Sequence, residues 1–489
     1  MIGDDVLHMT VQELGKLIQD RKISPVELVE ATLARLEQLG PKLGAVATIT
    51  RERALDEARV AEREIAAGRS LGPLHGIPYG AKDLLATRGI PTTWGAPPFR
   101  NQVFDYDATV VRKLREAGAI LVAKLAMIEL AGGGGYNNGH ASLQGASRCP
   151  YNLAHWAGGS SSGPGAAVPP GLVAFAIGSE TLGSIITPSA FSGVSGLRPT
   201  YGRVSRHGAM ALSWTMDKLG PMCRSAVDCG LVLNAIAGED PRDAASSKVP
   251  FFWWPPNDEK RARSLSGKTL GVVRPDFTAH GDPEVGAAFD AACAVLRSLG
   301  AKLDPLELPE FPYGAVAEAL YMAEAGSIFR PFIESGRVNE LIDETQRAGL
   351  RSTLALTAAD YLDAFRIRTQ IQTEVARLFE KYDVLVAPSR IAPAPPLDRD
   401  FDAPPPGKKD EAAEKKTEAP PPSTQKWNVI GMSNVAGLPA ISVPCGFTRD
   451  KNLPMGVQFV GDAFREDACI ECAHAYQLAT DWHRRRPSV

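Results

Sequence analysis

The sequence predicts an α/β fold, a mixed and mostly parallel-type twisted sheet covered by helices on both faces, and three patterns carry that expectation. A charged helical stretch, Thr109 to Ala117, stops at Gly118 and runs directly into the apolar Ala119-Ile120-Leu121-Val122-Ala123. The same alternation returns at Leu172 to Ile177 and at Thr269 to Val273. It returns again at Ala359 to Ala387, where a long helix leads into Asp383-Val384-Leu385-Val386. Short runs without alternating polar residues suit strands buried on both faces, the state that flanking helices produce.

From the N-terminus the elements follow in turn. Ser24-Pro25-Val26-Glu27 starts a helix, because serine caps the free N–H groups, proline fits the first turn, and Leu28, Ala31, Leu33 and Leu36 follow at roughly helical spacing. Arg51 to Ala67 reads as a second, charged helix, so residues 1–70 are expected to form an N-terminal helical layer. The α/β alternation then runs on until Pro393. Between Pro393 and Pro422, two Pro-Pro-Pro runs (404–406 and 420–422) surround Lys408-Lys409-Asp410-Glu411 and Glu414-Lys415-Lys416. A segment this polar has no apolar face to bury, so 393–426 is expected to be a surface insertion or lid. Periodic sequence resumes at Trp427.

Composition narrows the function. With 489 residues, 44% of them hydrophobic, the chain can bury a large core. Lysine and arginine number 53 against 56 acidic residues, a net charge of -3, so no global basic field draws the chain to nucleic acid or to an acidic membrane. Nowhere do about 18 uninterrupted apolar residues occur, and the first thirty carry Asp4, Asp5 and Glu13. The expectation is a cytoplasmic monomer or homodimer acting on a small molecule, with neither nucleic acid nor membrane as partner.

Seven cysteines are too sparse for a secreted disulfide framework. Cys469 and Cys472 form a CxxC pair inside the helical-looking Glu466 to Leu478, with no second pair to complete a zinc site, and read as core-facing thiols. The eight histidines are scattered without HExxH or HxH, so no catalytic metal is indicated. No cofactor is expected either. Gly267-Lys268-Thr269 resembles the end of a phosphate loop, but Ala262 stands where glycine is needed and the triplet precedes a strand instead of following one.

The chemistry concentrates in residues 158–184, a glycine- and serine-rich loop, a small-residue segment, and a second tight turn that ends at Ser184. Glycine lets backbone N–H groups converge on a substrate oxygen while a serine hydroxyl stays exposed, which is how serine acyl transfer is built. Gly159-Ser160-Ser161-Ser162-Gly163 fits the GxSxG nucleophile elbow, which would make Ser161 the nucleophile of an esterase with His474 as its base. That elbow needs a hydrophobic strand before it, and His155-Trp156-Ala157-Gly158 is a poor one. A lysine offers another base. Lys82 lies in the apolar, glycine-punctuated Leu74-His75-Gly76-Ile77-Pro78-Tyr79-Gly80-Ala81-Lys82-Asp83, where desolvation favours the neutral amine, although adjacent Asp83 also suits a plain structural ion pair.

With Lys82 added, the chain resembles the amidase signature family, serine hydrolases that cleave amides and include the catalytic subunit of glutamyl-tRNA amidotransferase. The resemblance rests on Leu74 to Pro78 with Lys82-Asp83, on Gly158 to Ser184, on Gly196 to Ser205, and on Asp217 with Gly220-Pro221-Met222. It continues through Asn434 to Pro444 and Gly456-Val457-Gln458. It implies one α/β/α domain over 1–489 with a signature core at 71–240. It also implies a Ser-cisSer-Lys triad: Ser184 as nucleophile, Ser160 as relay after a cis bond from Gly159, and Lys82 as base, with Ser161 in support. The oxyanion hole would be the N–H groups of Thr181, Leu182, Gly183 and Ser184. By family position, Gly132, Gly133, Gly134 and Tyr136 would line the substrate pocket.

The activity implied is hydrolysis of a carbon–nitrogen bond in a linear amide, an aryl amide or a carbamate (urethane); the alternative within the family is one subunit of an amidotransferase. Three departures stand out. Leu182 replaces a glycine, Ile186 replaces an arginine, and Pro169-Pro170 interrupts a segment that is usually alanine-rich helix. They leave the class of chemistry intact and set the chain apart from the housekeeping transamidase.

Overall fold

The computed structural model describes residues 2–401 and 426–489. Its N-terminal layer forms as local chemistry directs: the Ser24 hydroxyl accepts the N–H groups of Val26 and Glu27, and the helix Pro25–Leu43 stops where Gly44 turns left-handed at φ 58°. The helices Arg51–Ala66 and Thr109–Glu116 bury one face each, Ala54, Ala58, Ala61 and Ile65 on the first, Val110, Val111 and Leu114 on the second. Between the helices Pro25–Leu43 and Arg51–Ala66 lies a short strand, β1 (Val46–Ile49), which the helical reading of this layer missed.

The chain continues through β2 (Pro78–Lys82), β3 (Ile120–Leu125), a small separate hairpin of β4 (Arg148–Cys149) and β5 (Asn152–Trp156), then β6 (Phe175–Glu180), β7 (Ser195–Arg198) and β8 (Lys218–Cys223). The remaining strands are β9 (Thr269–Val272), β10 (Lys302–Pro305), β11 (Val384–Pro388), β12 (Ala440–Phe447) and β13 (Pro454–Val460). Eleven of them make one mixed sheet in the order β1-β3-β2-β6-β8-β7-β12-β13-β11-β9-β10. Parallel pairs occupy the two wings, β3–β2–β6 and β11–β9–β10, and antiparallel pairs fill the middle.

That order has a simple logic. Six consecutive strands of the sheet come from residues 46–223 and the other five from residues 269–460. The two halves meet at a single seam, where β7 pairs with β12 through Gly196, Leu197 and Arg198 against Ser442, Ile441 and Ala440.

Burial is complete where the sheet carries the site. Every residue of β2, β3, β6 and β8 is buried. Tyr79 and Phe175 stack on adjacent strands with centroids 5.2 Å apart, and Leu33, Leu36 and Val122 belong to the cluster that joins the N-terminal helices to the sheet. A fully buried side chain of this kind stabilises by about 1.5–3 kcal/mol. Cys469 and Cys472 are buried on the helix Glu466–Ala479. Among the described residues no helix is long and apolar enough to cross a membrane. Of the expected insertion, residues 402–425 lie outside the described residues; residues 393–401 follow β11 and reach the site.

Candidate active site

Lys82 is the last residue of β2, held between β3 and β6 and fully buried. Its Nζ lies 2.8 Å from Ser160 Oγ, 3.0 Å from Ser161 Oγ and 2.9 Å from Ser179 Oγ. No carboxylate pairs with it among the described residues. Asp83, the neighbour that suggested a structural ion pair, instead faces Lys124 at 3.0 Å and accepts from the Thr93 backbone and hydroxyl. Burial outweighs the more distant charges of Asp217 and Glu180 and pushes the Lys82 amine down to about 7. A neutral amine has two N–H donors and one lone pair, so one of the three hydroxyls then donates to nitrogen, the arrangement a base needs.

The serines come from two turns. The peptide bond from Gly159 to Ser160 is cis. Gly159 also has no room for a side chain, because a Cβ there would stand 2.6 Å from the Trp156 ring. Ser161 is fully buried, donates to the Ser179 carbonyl at 3.1 Å and accepts the Ser179 N–H at 3.2 Å, so it is stitched to β6. Ser184 sits half-buried in the second turn, and its carbonyl accepts the Ser161 N–H at 3.3 Å. Its hydroxyl makes no hydrogen bond among the described residues.

Glu180, at the end of β6, shapes that second turn. One carboxylate oxygen accepts the N–H groups of Ile185 and Ile186 at 2.8 and 2.9 Å, while the other accepts from Arg198 Nη1 and Asn434 Nδ2, both at 2.8 Å. Burial works against this charge, but Arg198 and Lys218 hold the carboxyl down to about 2. Asp217 anchors the turn from the other side by accepting from the Thr181 hydroxyl at 2.6 Å. Between these anchors, with Gly183 at φ 92°, the N–H groups of Thr181, Leu182, Gly183 and Ser184 have no acceptor among the described residues. Ile186 is fully buried and belongs to the core cluster that holds Met216, Tyr313 and Met432.

Ser184, Thr181, Leu182 and Gly159 line a cavity of about 520 Å³. Its walls are strongly aromatic, with Tyr136, Trp156, Phe191, Tyr321 and Phe401. Arg390 is the one charged side chain among its described lining residues. Gly132 lines it too, but Gly133 and Gly134 do not: they face Leu212 and the Leu350 backbone and serve the packing of the rim. Below the rim, buried Glu129 accepts the N–H groups of Ile342 and Asp343. Leu130 and Ala131 adopt left-handed backbone at φ 47° and 56°, which stores strain beside the cavity.

The esterase pairing does not assemble. His474 lies on the helix Glu466–Ala479 with its ring centroid 6.5 Å from that of Trp253, burial pushes it down to about 4, and it is absent from the cavity lining. Sequence reasoning missed Ser179, Arg390 and the aromatic walls other than Tyr136, and it met Glu180 and Arg198 only as motif letters. An acidic residue closing the apolar run Phe175 to Glu180 was the available signal for a buried ion pair.

The family model described as Amidase matches residues 27–470. The chain is 36% identical, over 99% of both chains, to a glutamyl-tRNA(Gln) amidotransferase subunit of Moorella thermoacetica. Among solved structures it superposes on the native peptide amidase from Stenotrophomonas maltophilia with a TM-score of 0.80 at 29% identity, covering 98% of each chain. A bacterial aryl acylamidase of the amidase signature enzymes gives 0.82 at 25% identity, covering 98% of this chain and 97% of that one.

These relatives correct the expected partners. A monomer or homodimer acting on a small molecule without nucleic acid does not stand beside a full-length relative named for a transfer RNA and for its place in a larger assembly. The physical reason is that net charge sums the whole surface and is silent about local contacts. The same relative narrows the distance from the transamidase that Leu182 and Ile186 suggested. A match spanning 27–470, whole-length relatives and a shared fold make one conclusion plain: the chain belongs to the amidase signature family.

Proposed function

We propose that the protein cleaves carboxamide C–N bonds through an acyl-enzyme on Ser184, with Ser160 as relay and Lys82 as base. The observation that carries this reading is a buried lysine with no carboxylate partner among the described residues, bonded to Ser160, beside a cavity that holds Ser184 and N–H groups that no described residue accepts. Ser184 Oγ attacks the carbonyl carbon as its proton passes to Ser160, whose own proton goes to the neutral Lys82 amine. The negative charge that develops on the carbonyl oxygen meets the 181–184 N–H groups, each such donor contributing about 3–4 kcal/mol in comparable sites. Collapse breaks the C–N bond, and the departing amine takes the proton back from Lys82 through Ser160. Water then attacks the acyl-enzyme and frees Ser184.

The curated relatives favour placing this cleavage in an amidotransferase, where the released ammonia passes on to a partner's reaction. The aromatic cavity supports a second reading, hydrolysis of an amide or carbamate with a flat, apolar acyl side. The test measures ammonia or amine release from glutamine, from aryl amides and from carbamates, by the chain on its own and with candidate companion chains. Ser184→Ala is expected to abolish release and phosphonate labelling in every case. Glutamine cleavage only with companions assigns the amidotransferase, and cleavage of aryl amides alone assigns the hydrolase. Full activity in Ser184→Ala would sink both.

A further inference from the structure

Away from Ser184, residues from both ends of the chain enclose another cavity, of about 210 Å³. Its walls come from the helices Asp4–Leu7 and Val11–Gln19 and from the C-terminal turn Trp482–Arg484 with the arginines that follow it. Four arginines line it, Arg224, Arg484, Arg485 and Arg486, against two carboxylates, Asp5 and Glu13. Both carboxylates are engaged: Asp5 pairs with Arg486, and Glu13 accepts the Thr10 N–H at 2.8 Å and lies 3.6 Å from Arg484. Arg224 and Arg485 make no ion pair among the described residues. Arg485 stands 4.3 Å from the centre of the Phe447 ring, and buried Arg224 donates only to the carbonyls of Leu7, Met9 and Pro169. A guanidinium has five N–H groups, so two of those on Arg224 remain. Burial pushes Arg224 down to about 10, which still leaves it charged near neutrality.

Two histidines complete the wall. The His8 side chain is only 5% exposed. Its Nδ1 lies 3.1 Å from the Asp4 carbonyl, and a carbonyl only accepts, so Nδ1 carries the proton and Nε2 the lone pair. That Nε2 is buried and has no partner among the described residues, and the same is true of His483 Nδ1. Burial, helped by Arg224 and Arg35, pushes His8 down although Asp4 stands 3.6 Å away. Burial with Arg484 and His474 pushes His483 down to about 4 against Asp481 and Glu13. Both rings are therefore neutral near pH 7 in the free protein. An oxyanion would be repelled by the lone pair on Nε2 and attracted by a proton there.

We infer that this cavity binds a small tetrahedral dianion, a phosphate monoester or free phosphate, between Arg224, Arg485 and His8, and that His8 takes a proton from solvent at Nε2 as the anion enters. The site would tie the first helices to the C-terminal turn. It is independent of the chemistry at Ser184.

The experiment titrates the full chain by calorimetry, at constant ionic strength, with sulfate, inorganic phosphate and glycerol 3-phosphate. Sulfate stays fully ionised between about pH 6 and about pH 8, so a pH dependence in its binding belongs to the protein. One-site binding that tightens about tenfold from about pH 8 to about pH 6 is expected, because the complex holds one proton more than its parts. His8→Asn can keep the bond to Asp4 but has no Nε2, so it should weaken sulfate binding about ten- to a hundredfold and flatten the pH profile. Arg485→Gln, at an exposed position, should weaken all the anions at both pH values, and an unchanged melting curve checks the fold of each variant. Tighter binding of glycerol 3-phosphate than of phosphate assigns the ester, the reverse assigns the free ion, and both support the site. Sulfate binding that is lost in Arg485→Gln but indifferent to pH overturns the proton uptake at His8. No binding of any of these anions by wild type, or binding unchanged in both variants, overturns the site. Binding of single-stranded RNA without the small anions overturns it too, since that is the behaviour of a surface for polyanions.

Discussion

Two lysines on neighbouring strands differ in one respect that decides their roles. Lys82 and Lys124 are both completely buried, but Lys124 has the Asp83 carboxylate at 3.0 Å, whereas Lys82 has only hydroxyls around its nitrogen. A buried ion pair keeps its proton for structural reasons; a buried amine among hydroxyls surrenders it near neutrality. The sign of the pH dependence follows. Because only the neutral amine accepts a proton, kcat/KM on an amide should rise with pH through about 7 and level off above it. Lys82→Met should lower kcat by about 10²–10⁴ and remove that titration, as a pH series on both proteins would reveal. A flat profile in wild type would take the base role away from Lys82. At this scale a motif pointed to Lys82, Ser160 and Ser184, and the structure places the Lys82 amine 2.8 Å from the Ser160 hydroxyl. The sequence was not legible for Asp83, whose partner lies on another strand, nor for Ser179, which looks like any serine in a strand.

Among the elements, the turn after β6 depends most on a single side chain. Glu180 accepts four hydrogen bonds from four residues, two of them the first N–H groups of the helix Ile186–Ser192 and its cap. Glu180→Ala removes an acceptor from every one of them and leaves Arg198 buried without its anion, a change that typically costs about 3–5 kcal/mol. The expected outcome is a lower denaturation midpoint together with a kcat loss on any amide that is cleaved, since the 181–184 turn is no longer held. Unaltered kcat in a folded Glu180→Ala protein would show that the turn is positioned by Asp217 alone. The parallel wings were legible because β3, β9 and β11 are apolar runs that follow helices. The antiparallel middle was not. β12 contains Pro444 and Gly446, and β13 contains Pro454 and Gly456, residues that count against a strand until the neighbouring strands impose one.

Across the whole molecule, two sequence-contiguous halves share one sheet and one cavity. A buried clamp reinforces their seam: Arg203, just beyond β7, bonds both oxygens of Glu466 and the Phe464 carbonyl, and Glu466 also accepts the Thr200 N–H. Glu466→Ala should therefore lower the urea midpoint by the equivalent of about 3–5 kcal/mol, while phosphonate still labels Ser184 in the folded fraction. A midpoint shift under about 1 kcal/mol would mean that the β7–β12 pairing alone holds the halves. Composition could not show this seam, and the even balance of charge that argued for isolation misled for the same reason: both describe totals, whereas the halves and their partners meet at particular places.

The division of the sheet also orders events during synthesis. Lys82, Ser160, Ser184 and the turn that serves them lie within the first 223 residues, while Tyr321, Arg390 and Phe401, which close the cavity, emerge later. A nascent chain leaving the ribosome thus presents Ser184 before it has the later wall of the cavity, and Arg198 waits for the Leu438 carbonyl and Glu180 for the Asn434 side chain, both from a segment not yet made. The cavity around Ser184 is therefore walled only after residues 321–401 have been made.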